Sequence, residues 1–348
     1  MTLPETMFGI ALTGHGGPEK MEWRDDLPTP VPANGDVVIQ VAAAGVNNTD
    51  INTRIGWYSK GDAEADDASW SGTALRFPFI QGADVCGHIV AVGNGVDASR
   101  IGERVLIEPC LREADGEPLK TPWYFGSECD GGFAQFTRVA SRYAHTIQSD
   151  LTDVELASVP CSYSTAENML TRARLAKGET VLVTGASGGV GSATVQLALA
   201  RGARVIAVTS ASKAQILTDL GAQRTLDRSN DFVAELGENS VDVVVDLVAG
   251  AKWPSLLNVL RPGGRYAVSG AIGGPIVELD VRTLYLKDLS FFGCTVLEPE
   301  VFANLIQRIE RQEIKPLVAT TFPLSEIAAA QEEFTQKGHV GKIVLTVP

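Results

Sequence analysis

The chain has 348 residues, of which 45% are hydrophobic and 20% are charged, the composition of a folded globular protein with about two domains. Its 42 acidic and 29 basic side chains give a net charge of −13, and such a surface repels nucleic-acid phosphates and anionic lipid headgroups. Composition therefore nearly excludes a general nucleic-acid or membrane-surface role.

No secretory signal and no membrane helix are predicted from the sequence. The amino end lacks a basic segment followed by an apolar core and a cleavage site, and no apolar run approaches the roughly 18 residues of a membrane span. The five cysteines are scattered and never spaced C-x-x-C, which argues against a disulfide framework and a four-cysteine zinc site. We therefore expect a cytoplasmic protein with reduced thiols.

The first half of the chain is predicted to be rich in β-sheet. Apolar runs bounded by turn residues predict strands at 36–43, 87–92, 104–108 and 132–139. Few long amphipathic helices interrupt these strands, which favours an antiparallel or barrel-like domain. Residues 59–75 form a polar, acidic segment, interpreted either as a solvated loop or as a lid with Trp70 as its apolar contact.

After about residue 150 the pattern changes to alternating strands and helices. Strands are predicted at 180–184, 204–209, 242–247, 264–269 and 289–292, and helices at 212–220, 253–260 and 301–311. This alternation is typical of a doubly wound parallel sheet. An amphipathic helix at 321–336 and a strand at 342–347 are expected to rejoin the first domain. The predicted domains are therefore 1–155, 156–296 and, returning to the first, 297–348.

The glycine-rich segment at 183–192 (VTGASGGVGS) is the strongest local signal, because it joins a buried strand to a helix. Gly188 would let the backbone approach a pyrophosphate, and Gly191 would let the helix pack against the strand. The candidate phosphate-binding residues beside them are Ala186, Ser187, Gly189 and Val190. Ala186 replaces the first glycine of the common pattern, so a tight turn without a ligand stays the alternative.

The end of the second predicted strand in this region bears on which nucleotide is bound. An NAD site typically carries a carboxylate about 20 residues after the glycines, but the first acid here is Asp219, inside the following helix. Ser210 can donate a hydrogen bond to a 2′-phosphate and Lys213 can supply positive charge, with Arg228 as a second cation if its loop folds back. The sequence favours NADPH; the alternative is that both cations are solvated surface charges.

Together these residues resemble the medium-chain dehydrogenase/reductase superfamily, and most closely its quinone oxidoreductase branch. The matching segments span almost the whole chain, at 45–50, 78–87, 131–134, 186–191, 260–265 and 341–344. The resemblance implies an α/β fold in which a Rossmann doubly wound parallel sheet binds the cofactor and a GroES-like β-barrel forms the catalytic domain, with a cleft between them. It also implies a homodimer or homotetramer formed through the Rossmann sheet.

Zinc alcohol dehydrogenases of this superfamily hold a catalytic zinc with a cysteine, a histidine and a second cysteine. By resemblance, these positions fall at Asn47, Ala83 and Cys161, so this chain retains only the last ligand. One thiolate with Asp84 is too few ligands for such a site, and His88 lies five residues further along a strand. We therefore predict no catalytic zinc.

The segment that corresponds to the relatives' structural zinc lobe also lacks ligands, because it holds only Cys110 and Cys129 instead of four cysteines. Without a Lewis acid, oxidation of an unactivated alcohol is unfavourable at neutral pH. Hydride transfer from NADPH to a quinone or another α,β-unsaturated carbonyl stays feasible, because the acceptor is already electron-poor.

The resemblance places Asn47 and Tyr58 in the substrate pocket. Asn47 would donate its amide to the substrate oxygen, and Tyr58 would donate a proton or hydrogen bond to the developing oxyanion. The alternatives are a turn-forming asparagine and an amphipathic tyrosine at the barrel rim. Asp50 matches the family's motif aspartate and is the third candidate catalytic residue; the alternative is that it fixes the loop by accepting backbone donors. The residues expected near the nicotinamide are Thr165, Val248, Ser269, Gly270 and Cys294.

The leading hypothesis is an NADPH-dependent, zinc-independent reductase of quinones or other α,β-unsaturated carbonyls. Its expected partners are such small molecules and further copies of the same chain. The alternatives are a zinc-type alcohol dehydrogenase with degenerate ligands, and a non-catalytic NADPH-binding sensor or interaction protein.

Overall fold

The computed structural model describes residues 3–59, 69–72 and 74–348, so most of the segment at 59–75 lies outside the described residues. The strands, in chain order, are β1 (Thr6–Leu12), β2 (Met21–Pro28), β3 (Asp36–Gly45), β4 (Phe79–Ile80), β5 (Asp84–Val92), β6 (Arg104–Ile107), β7 (Cys110–Ala114), β8 (Glu117–Tyr124), β9 (Phe136–Ala140), β10 (Ala144–Thr146), β11 (Thr180–Val183), β12 (Arg204–Thr209), β13 (Arg224–Asp227), β14 (Val241–Asp246), β15 (Leu260–Val268), β16 (Ser290–Gly293), β17 (Val318–Pro323) and β18 (Lys342–Thr346). The α-helices are α1 (Asn48–Arg54), α2 (Asp153–Ala157), α3 (Pro160–Arg172), α4 (Gly189–Ala200), α5 (Ala214–Asp219), α6 (Phe232–Leu236), α7 (Trp253–Val259), α8 (Val281–Leu286), α9 (Val301–Glu310) and α10 (Ile327–Gln336). Of the helices in these described ranges, none is both long and apolar enough to cross a lipid bilayer.

The chain forms two compact units. Unit 1 comprises the chain up to Cys161 together with Val318–Gly338 and Lys342–Pro348, and unit 2 comprises Ser162–Leu317 and His339–Gly341. These boundaries lie later than the predicted ones near 155 and 296, so α9 belongs to unit 2. Helix α9 buries an apolar face, and it also joins an ion-pair network of unit 2, because Arg308 of α9 and Arg201 after α4 both pair with the buried Glu167 of α3.

Unit 2 is built on six parallel strands in the order β13-β12-β11-β14-β15-β16, which confirms the predicted doubly wound sheet. Residues 181–183 of β11 and 243–245 of β14, two interior strands, are aliphatic and fully buried, as expected where helices cover a parallel sheet. The strand order reverses at β11, since β12 lies on one side of it and β14 on the other. Ligands of doubly wound sheets bind outside the carboxyl ends of the strands at such a reversal, and the glycine-rich turn follows β11.

Unit 1 is mainly antiparallel, as predicted. One sheet has the order β10-β6-β5-β3-β18-β17 with β9 also paired to β3, a second has the order β2-β1-β4, and β7 and β8 form a hairpin. The C-terminal strand β18 rejoins this unit, because it lies antiparallel to β3 with Val344 opposite Gly45. That pairing brings Lys342, the first residue of β18, beside the turn that follows β3.

Two predicted elements differ from the structure. The predicted helix at 321–336 is wrong over its first part, because Val318–Pro323 form β17 and only Ile327–Gln336 is helical. The side chains of β17 alternate in burial, as in a strand with one covered face. The strand predicted at 132–139 begins only at Phe136, because Gly132 lies in a tight turn where a Cβ would come 2.0 Å from a methyl group of Val85. Strands β1 and β2 and the β7–β8 hairpin have no counterpart in the sequence predictions.

Candidate active site

The glycine-rich turn after β11 leads directly into the 12-residue helix α4. Gly185 has a φ of +58°, and a Cβ at Gly191 would lie 2.2 Å from the Gly185 carbonyl oxygen, so the turn closes only with glycine at these two positions. A Cβ at Gly188, by contrast, would meet only that same oxygen, at 3.6 Å. The open face at Gly188 and the first amides of α4, which have no acceptor within the helix, fit a pyrophosphate.

A segment near the C-terminus contacts this turn, which the sequence analysis does not predict. The Gly341 N–H donates to the Ser187 carbonyl at 3.0 Å, and Gly341 has a φ of +86° that glycine adopts without strain. The Ala186 N–H donates to a carbonyl of β12 at 3.1 Å, so this predicted phosphate donor is already engaged. The amides of Gly189 and Val190, at the start of α4, remain as the candidate donors.

The side chains predicted to bind a 2′-phosphate lie together at the carboxyl end of β12. The Arg228 N–H donates to the Thr209 carbonyl at 2.9 Å, so the Arg228 loop folds back against this strand. Partial burial and then the charge of Arg228 lower the pKa of Lys213, because the two cations are close together. Lys213 Nζ also donates to the His339 carbonyl at 2.9 Å, and Ser210 precedes the 3-10 turn that carries Lys213.

A carboxylate that the sequence analysis overlooks lies at the same place. Asp227 is the last residue of β13, the neighbour of β12, and its Oδ2 accepts the Ala211 N–H at 3.0 Å. Hydrogen bonds from Ser229 lower the pKa of Asp227, which is therefore ionised at neutral pH. Asp227 could in principle be found from the sequence, because the carboxyl ends of adjacent parallel strands meet at one edge of the sheet.

The loops after β14, β15 and β16 meet at the carboxyl edge of the sheet. Ser269 Oγ donates to the Cys294 carbonyl at 2.8 Å. Gly270 packs so closely that a Cβ would lie 2.7 Å from the carbonyl of the residue preceding Val248. The structure therefore brings these four predicted nicotinamide neighbours together, whereas the role of Thr165, half-buried in α3, rests on the resemblance.

The buried carboxylate of Asp246 fixes the loop that carries Val248. Oδ1 accepts the Thr184 hydroxyl at 2.6 Å and the N–H groups of Val248 and Ala249 at 2.9 and 3.1 Å. Oδ2 accepts the Tyr266 hydroxyl at 2.6 Å. The loop can therefore hold Ala249 at a φ of +55°, a conformation that most residues avoid.

In unit 1, Asn47, Asp84, Cys161 and Lys342 form a buried polar group that we call the Lys342 cluster. Lys342 Nζ lies 2.8 Å from Asp84 Oδ2 and 2.9 Å from the Val46 carbonyl, and it also donates to Asn47 Oδ1. The Asp84 carboxylate further accepts the Asn47 amide at 2.8 Å and the Cys161 N–H. The exposed fractions of the Lys342 and Asp84 side chains are 3% and 0%. Such complete hydrogen bonding is what makes a buried ion pair tolerable.

Two residues predicted to be catalytic are held within this framework. The Asn47 amide donates one N–H to Asp84 at 2.8 Å and the other to the Gly45 carbonyl at 3.4 Å, so the predicted donation to a substrate oxygen would have to replace this second, longer bond. Asp50 caps α1, because its Oδ2 accepts the Asn47 N–H at 2.7 Å, and its carbonyl accepts the Gln81 amide at 2.8 Å. The sequence allows two roles for Asp50, catalysis and fixing the loop, and the geometry matches the second.

Burial of Asp50 predicts a specific pH dependence of stability. Desolvation raises the pKa of Asp50 to about 7, above its value of about 4 in an unfolded chain. Between these values the native state binds more protons, so the free energy of unfolding falls as pH rises, by up to about 1.4 kcal/mol per pH unit. Asp50→Asn keeps a side-chain acceptor and should remove this fall, which urea denaturation of both chains across the pH range would measure. Parallel stability curves for the two chains would contradict the prediction.

Two phenols lie near the Lys342 cluster. The Tyr58 hydroxyl donates to Thr49 Oγ1 of α1 at 3.1 Å, and burial raises the pKa of Tyr58, so the phenol is protonated at neutral pH and can donate. The second phenol, Tyr124, has no motif that would reveal it, and its hydroxyl donates to Cys161 Sγ at 3.0 Å. The ring of Trp70 lies 5.0 Å from that of Tyr124. The described end of the segment at 59–75 therefore packs against β8.

The family's positions for a catalytic zinc do not assemble a metal site in this chain. Burial raises the pKa of Cys161 to about 12, so its thiol is protonated at neutral pH. The side-chain oxygens of Asn47 and Asp84 bind the Lys342 ammonium group. Within residues 3–59, 69–72 and 74–348, no group of three His, Cys, Asp or Glu side chains could hold a metal ion. The residues present therefore do not fit zinc.

Two protein-family models match the chain. Residues 33–149 match an alcohol dehydrogenase GroES-like domain, and residues 189–311 match a zinc-binding dehydrogenase. The first match falls within unit 1 and the second within unit 2, so the predicted pairing of a GroES-like domain with a Rossmann domain is confirmed.

Curated proteins and solved structures resemble the chain over nearly its whole length. A quinone oxidoreductase from Lama guanicoe is 30% identical over 97% of both proteins. An acryloyl-coenzyme A reductase from Metallosphaera sedula is also 30% identical, over 98% of this chain and all of that protein. A crystal structure of a Sinorhizobium meliloti protein proposed to be an alcohol dehydrogenase is 46% identical over 99% of this chain and 98% of that one, with a TM-score of 0.90.

Proposed function

Since this chain belongs to the medium-chain dehydrogenase/reductase superfamily, in its quinone oxidoreductase-like branch, we propose that it transfers hydride from NADPH to a quinone or another α,β-unsaturated carbonyl without zinc. The names of two relatives support this acceptor class, because a quinone and an acryloyl thioester both carry an electron-poor double bond conjugated to a carbonyl. Hydride addition to such a bond moves negative charge onto the carbonyl oxygen, where a hydrogen-bond donor can stabilise it.

The observation that carries the proposal is the Lys342 ammonium group in the Lys342 cluster. It binds Asn47 and Asp84, beside the one cysteine that remains of the family's zinc ligands. A divalent cation here would meet a buried positive charge and a protonated thiol, Cys161, instead of three ligands. A reaction that needs no Lewis acid fits this arrangement.

The residues of the chain then have separate tasks. NADPH supplies the hydride when it is bound. The open turn at Gly188 and the first amides of α4 would hold its pyrophosphate. Tyr58, protonated at neutral pH, would turn its single O–H from Thr49 Oγ1 to the oxygen that gains charge and accept a hydrogen bond from the Thr49 hydroxyl instead. The Lys342 cluster would position α1, which carries the hydrogen-bond partner of Tyr58.

The direct test is an NADPH-oxidation assay with a panel of quinones, enones and enoyl thioesters. It should be repeated with NADH and with a zinc chelator, on protein whose metal content has been measured. We expect turnover with at least one acceptor class, a preference for NADPH, no inhibition by the chelator, and substoichiometric zinc. Stoichiometric zinc together with chelator-sensitive turnover would favour an alcohol dehydrogenase, and NADPH binding without any turnover would favour the sensor alternative.

The charges at the end of β12 predict how cofactor affinity responds to mutation. Lys213→Ala removes one cation from the proposed 2′-phosphate site, so NADPH should bind about tenfold more weakly, the loss of one charge-assisted hydrogen bond. NADH lacks the 2′-phosphate, so its binding should weaken much less. The affinity for NADH therefore controls for the contact with the His339 carbonyl, which Lys213→Ala also removes. Equal losses for the two nucleotides would remove the proposed role of Lys213. Fluorescence titration with each nucleotide measures both values.

Asp227→Asn is the matched opposite change. It removes a negative charge at the same place and keeps an acceptor for the Ala211 N–H. We therefore expect NADPH to bind several-fold more tightly and NADH to be nearly unaffected, since only the 2′-phosphate is repelled by the carboxylate. If Asp227→Asn instead weakens NADH selectively, Asp227 binds a ribose hydroxyl and the preference for NADPH is wrong.

We further propose that two copies associate through the edge of the sheet in unit 2. Strand β16 is an edge strand, with Phe291 36% exposed, and the preceding region exposes Leu286 at 70% and Ile276 at 88%. An unpaired strand edge beside exposed apolar side chains is typical of an interface. A second copy related by two-fold symmetry would cover the strand edge and the exposed apolar side chains with the same surface of its own.

Leu286→Asp should shift this proposed dimer toward monomer, because burying an unpaired carboxylate opposes association. Light scattering after size-exclusion chromatography would give the mass of the wild type and the variant. Ile101→Asp, at an apolar side chain of unit 1 that is 52% exposed, is the control and should leave the mass unchanged. A monomeric wild type, or equal effects of the two substitutions, would contradict an interface at this edge.

A further inference from the structure

Asp246, the last residue of β14, is a buried carboxylate without a cationic partner. The residue is 0% exposed. Of the ion pairs that the described residues of unit 2 form, none includes Asp246. Burying a carboxylate away from any counter-ion is unfavourable, even where hydrogen bonds offset much of the cost. Its presence in the core of unit 2 therefore calls for an explanation.

The four side-chain hydrogen bonds of this carboxylate are all donated to it. Two come from the backbone N–H groups of Val248 and Ala249. The other two come from the hydroxyls of Thr184 and Tyr266. Thr184 Oγ1 itself accepts the Leu247 N–H at 2.9 Å, so the Thr184 hydrogen is directed to the carboxylate. Such a set of donors stabilises the ionised form, which accepts hydrogen bonds and donates none.

The charge lies at the edge of the sheet where the nicotinamide is expected. Val248, whose N–H binds the carboxylate, is one of the predicted nicotinamide neighbours. A second of these neighbours, Ser269, donates its N–H to the Asp246 carbonyl at 3.3 Å. A Cβ at Gly185, in the glycine-rich turn, would lie 3.3 Å from a methyl group of Val248. The loop that the carboxylate holds therefore borders both the turn and the expected nicotinamide site.

We propose that the Asp246 carboxylate stabilises the positive charge of the oxidised nicotinamide and thereby favours the release of hydride. The inference rests on the proposed function, in which NADPH supplies the hydride. The C–H electron pair leaves with the hydrogen and forms a new C–H bond on the acceptor, whose oxygen gains the negative charge and then takes a proton from water. The reduced ring is neutral and the oxidised ring is a cation, so a fixed anion nearby lowers the free energy of the oxidised form only.

The test compares the affinities of the full chain for NADP⁺ and NADPH, so it needs neither an acceptor nor turnover. Asp246→Asn removes the charge, while its amide oxygen can accept from the loop N–H groups and its NH₂ group can donate to Tyr266. We expect the ratio of the NADP⁺ dissociation constant to that of NADPH to rise about tenfold, the effect of one unit charge across about 10 Å of protein interior. Calorimetric titration gives both constants. The ratio for NAD⁺ and NADH should rise equally, which makes the result independent of the preferred nucleotide.

Two control variants separate charge from structure. Tyr266→Phe removes one hydrogen bond of the carboxylate and keeps its charge, so the ratio should stay at the wild-type value. Asp242→Asn, at the opposite end of β14, removes a carboxylate that already pairs with Arg261, and it should also leave the ratio unchanged.

Thermal unfolding shows whether each variant is folded, and Asp246→Ser, which also removes the charge, is the second variant for the same measurement. A ratio within about twofold of the wild-type value in a folded Asp246 variant would overturn the proposal. Equal weakening of NADP⁺ and NADPH would overturn it too, because Asp246 would then only hold the loop. An equal rise of the ratio in Tyr266→Phe would do the same. If NADPH binds but no acceptor oxidises it, the proposed function is wrong, whereas the ratio of affinities still tests the charge.

Discussion

Lys342→Met should lower the free energy of unfolding by about 3–5 kcal/mol, the usual cost of removing one partner from a buried ion pair. The Lys342 side chain is 3% exposed and its ammonium group binds Asp84, Asn47 and the Val46 carbonyl. Methionine fills a similar volume without these bonds, so the buried Asp84 carboxyl group is left without its counter-ion. Urea denaturation at neutral pH measures the loss.

A second substitution separates charge from packing. Asp84→Asn removes the uncompensated carboxylate, so the double variant Lys342→Met, Asp84→Asn should regain a large part of the stability lost in the single variant. Lys120→Met, at an exposed lysine of β8, is the matched control and should change stability by no more than about 0.5 kcal/mol. A double variant as unstable as Lys342→Met would show that the cluster acts through packing alone.

The Lys342 cluster also shows where sequence reasoning stops. Asp84 and Lys342 are each charged residues at the start of an otherwise apolar strand, β5 and β18, and that pattern is visible in the sequence. The contact between Asp84 and Lys342 is not visible in the sequence, because it depends on β3 lying between β5 and β18 in the sheet. The sequence does predict that the C-terminal tail returns to the first unit, since a strand that follows the helices of unit 2 needs a sheet with which to pair.

The doubly wound sheet of unit 2 could be predicted because continuous aliphatic strands alternate with helices and the glycine turn marks the first crossover. The end of β17 could not be predicted as a strand, because Thr321 and Phe322 also fit the helical spacing of the residues that follow. At the cofactor site, Lys213 follows β12 in the sequence, whereas Arg228 and Asp227 come from the end of β13, the neighbouring strand. Sequence reasoning includes Arg228 only on the condition that its loop folds back, and it omits Asp227 because the pairing of β12 with β13 is needed to place that carboxylate.

Substitutions at two glycines of the turn after β11 should separate cofactor binding from folding. A methyl group at Gly191 would lie 2.2 Å from the Gly185 carbonyl oxygen and 2.6 Å from the Ala186 Cα, so Gly191→Ala forces the backbone to move. We expect it to lower the free energy of unfolding by about 1–3 kcal/mol and to weaken NADPH binding more than about a hundredfold, because the phosphate-binding amides move with the turn.

Gly188→Ala should affect binding and largely spare the fold. Its methyl group meets only the Gly185 oxygen at 3.6 Å, and the φ of −75° suits alanine, so the cost is limited to the weaker helix cap, about 1 kcal/mol. The same methyl group would stand where a pyrophosphate approaches the backbone, so NADPH should bind at least about tenfold more weakly. Gly14→Ala, in open space in unit 1, should change neither property. If Gly188→Ala binds NADPH as the wild type does, the pyrophosphate does not lie on this face of the turn, and the roles of Lys213 and Arg228 lose their geometric basis as well.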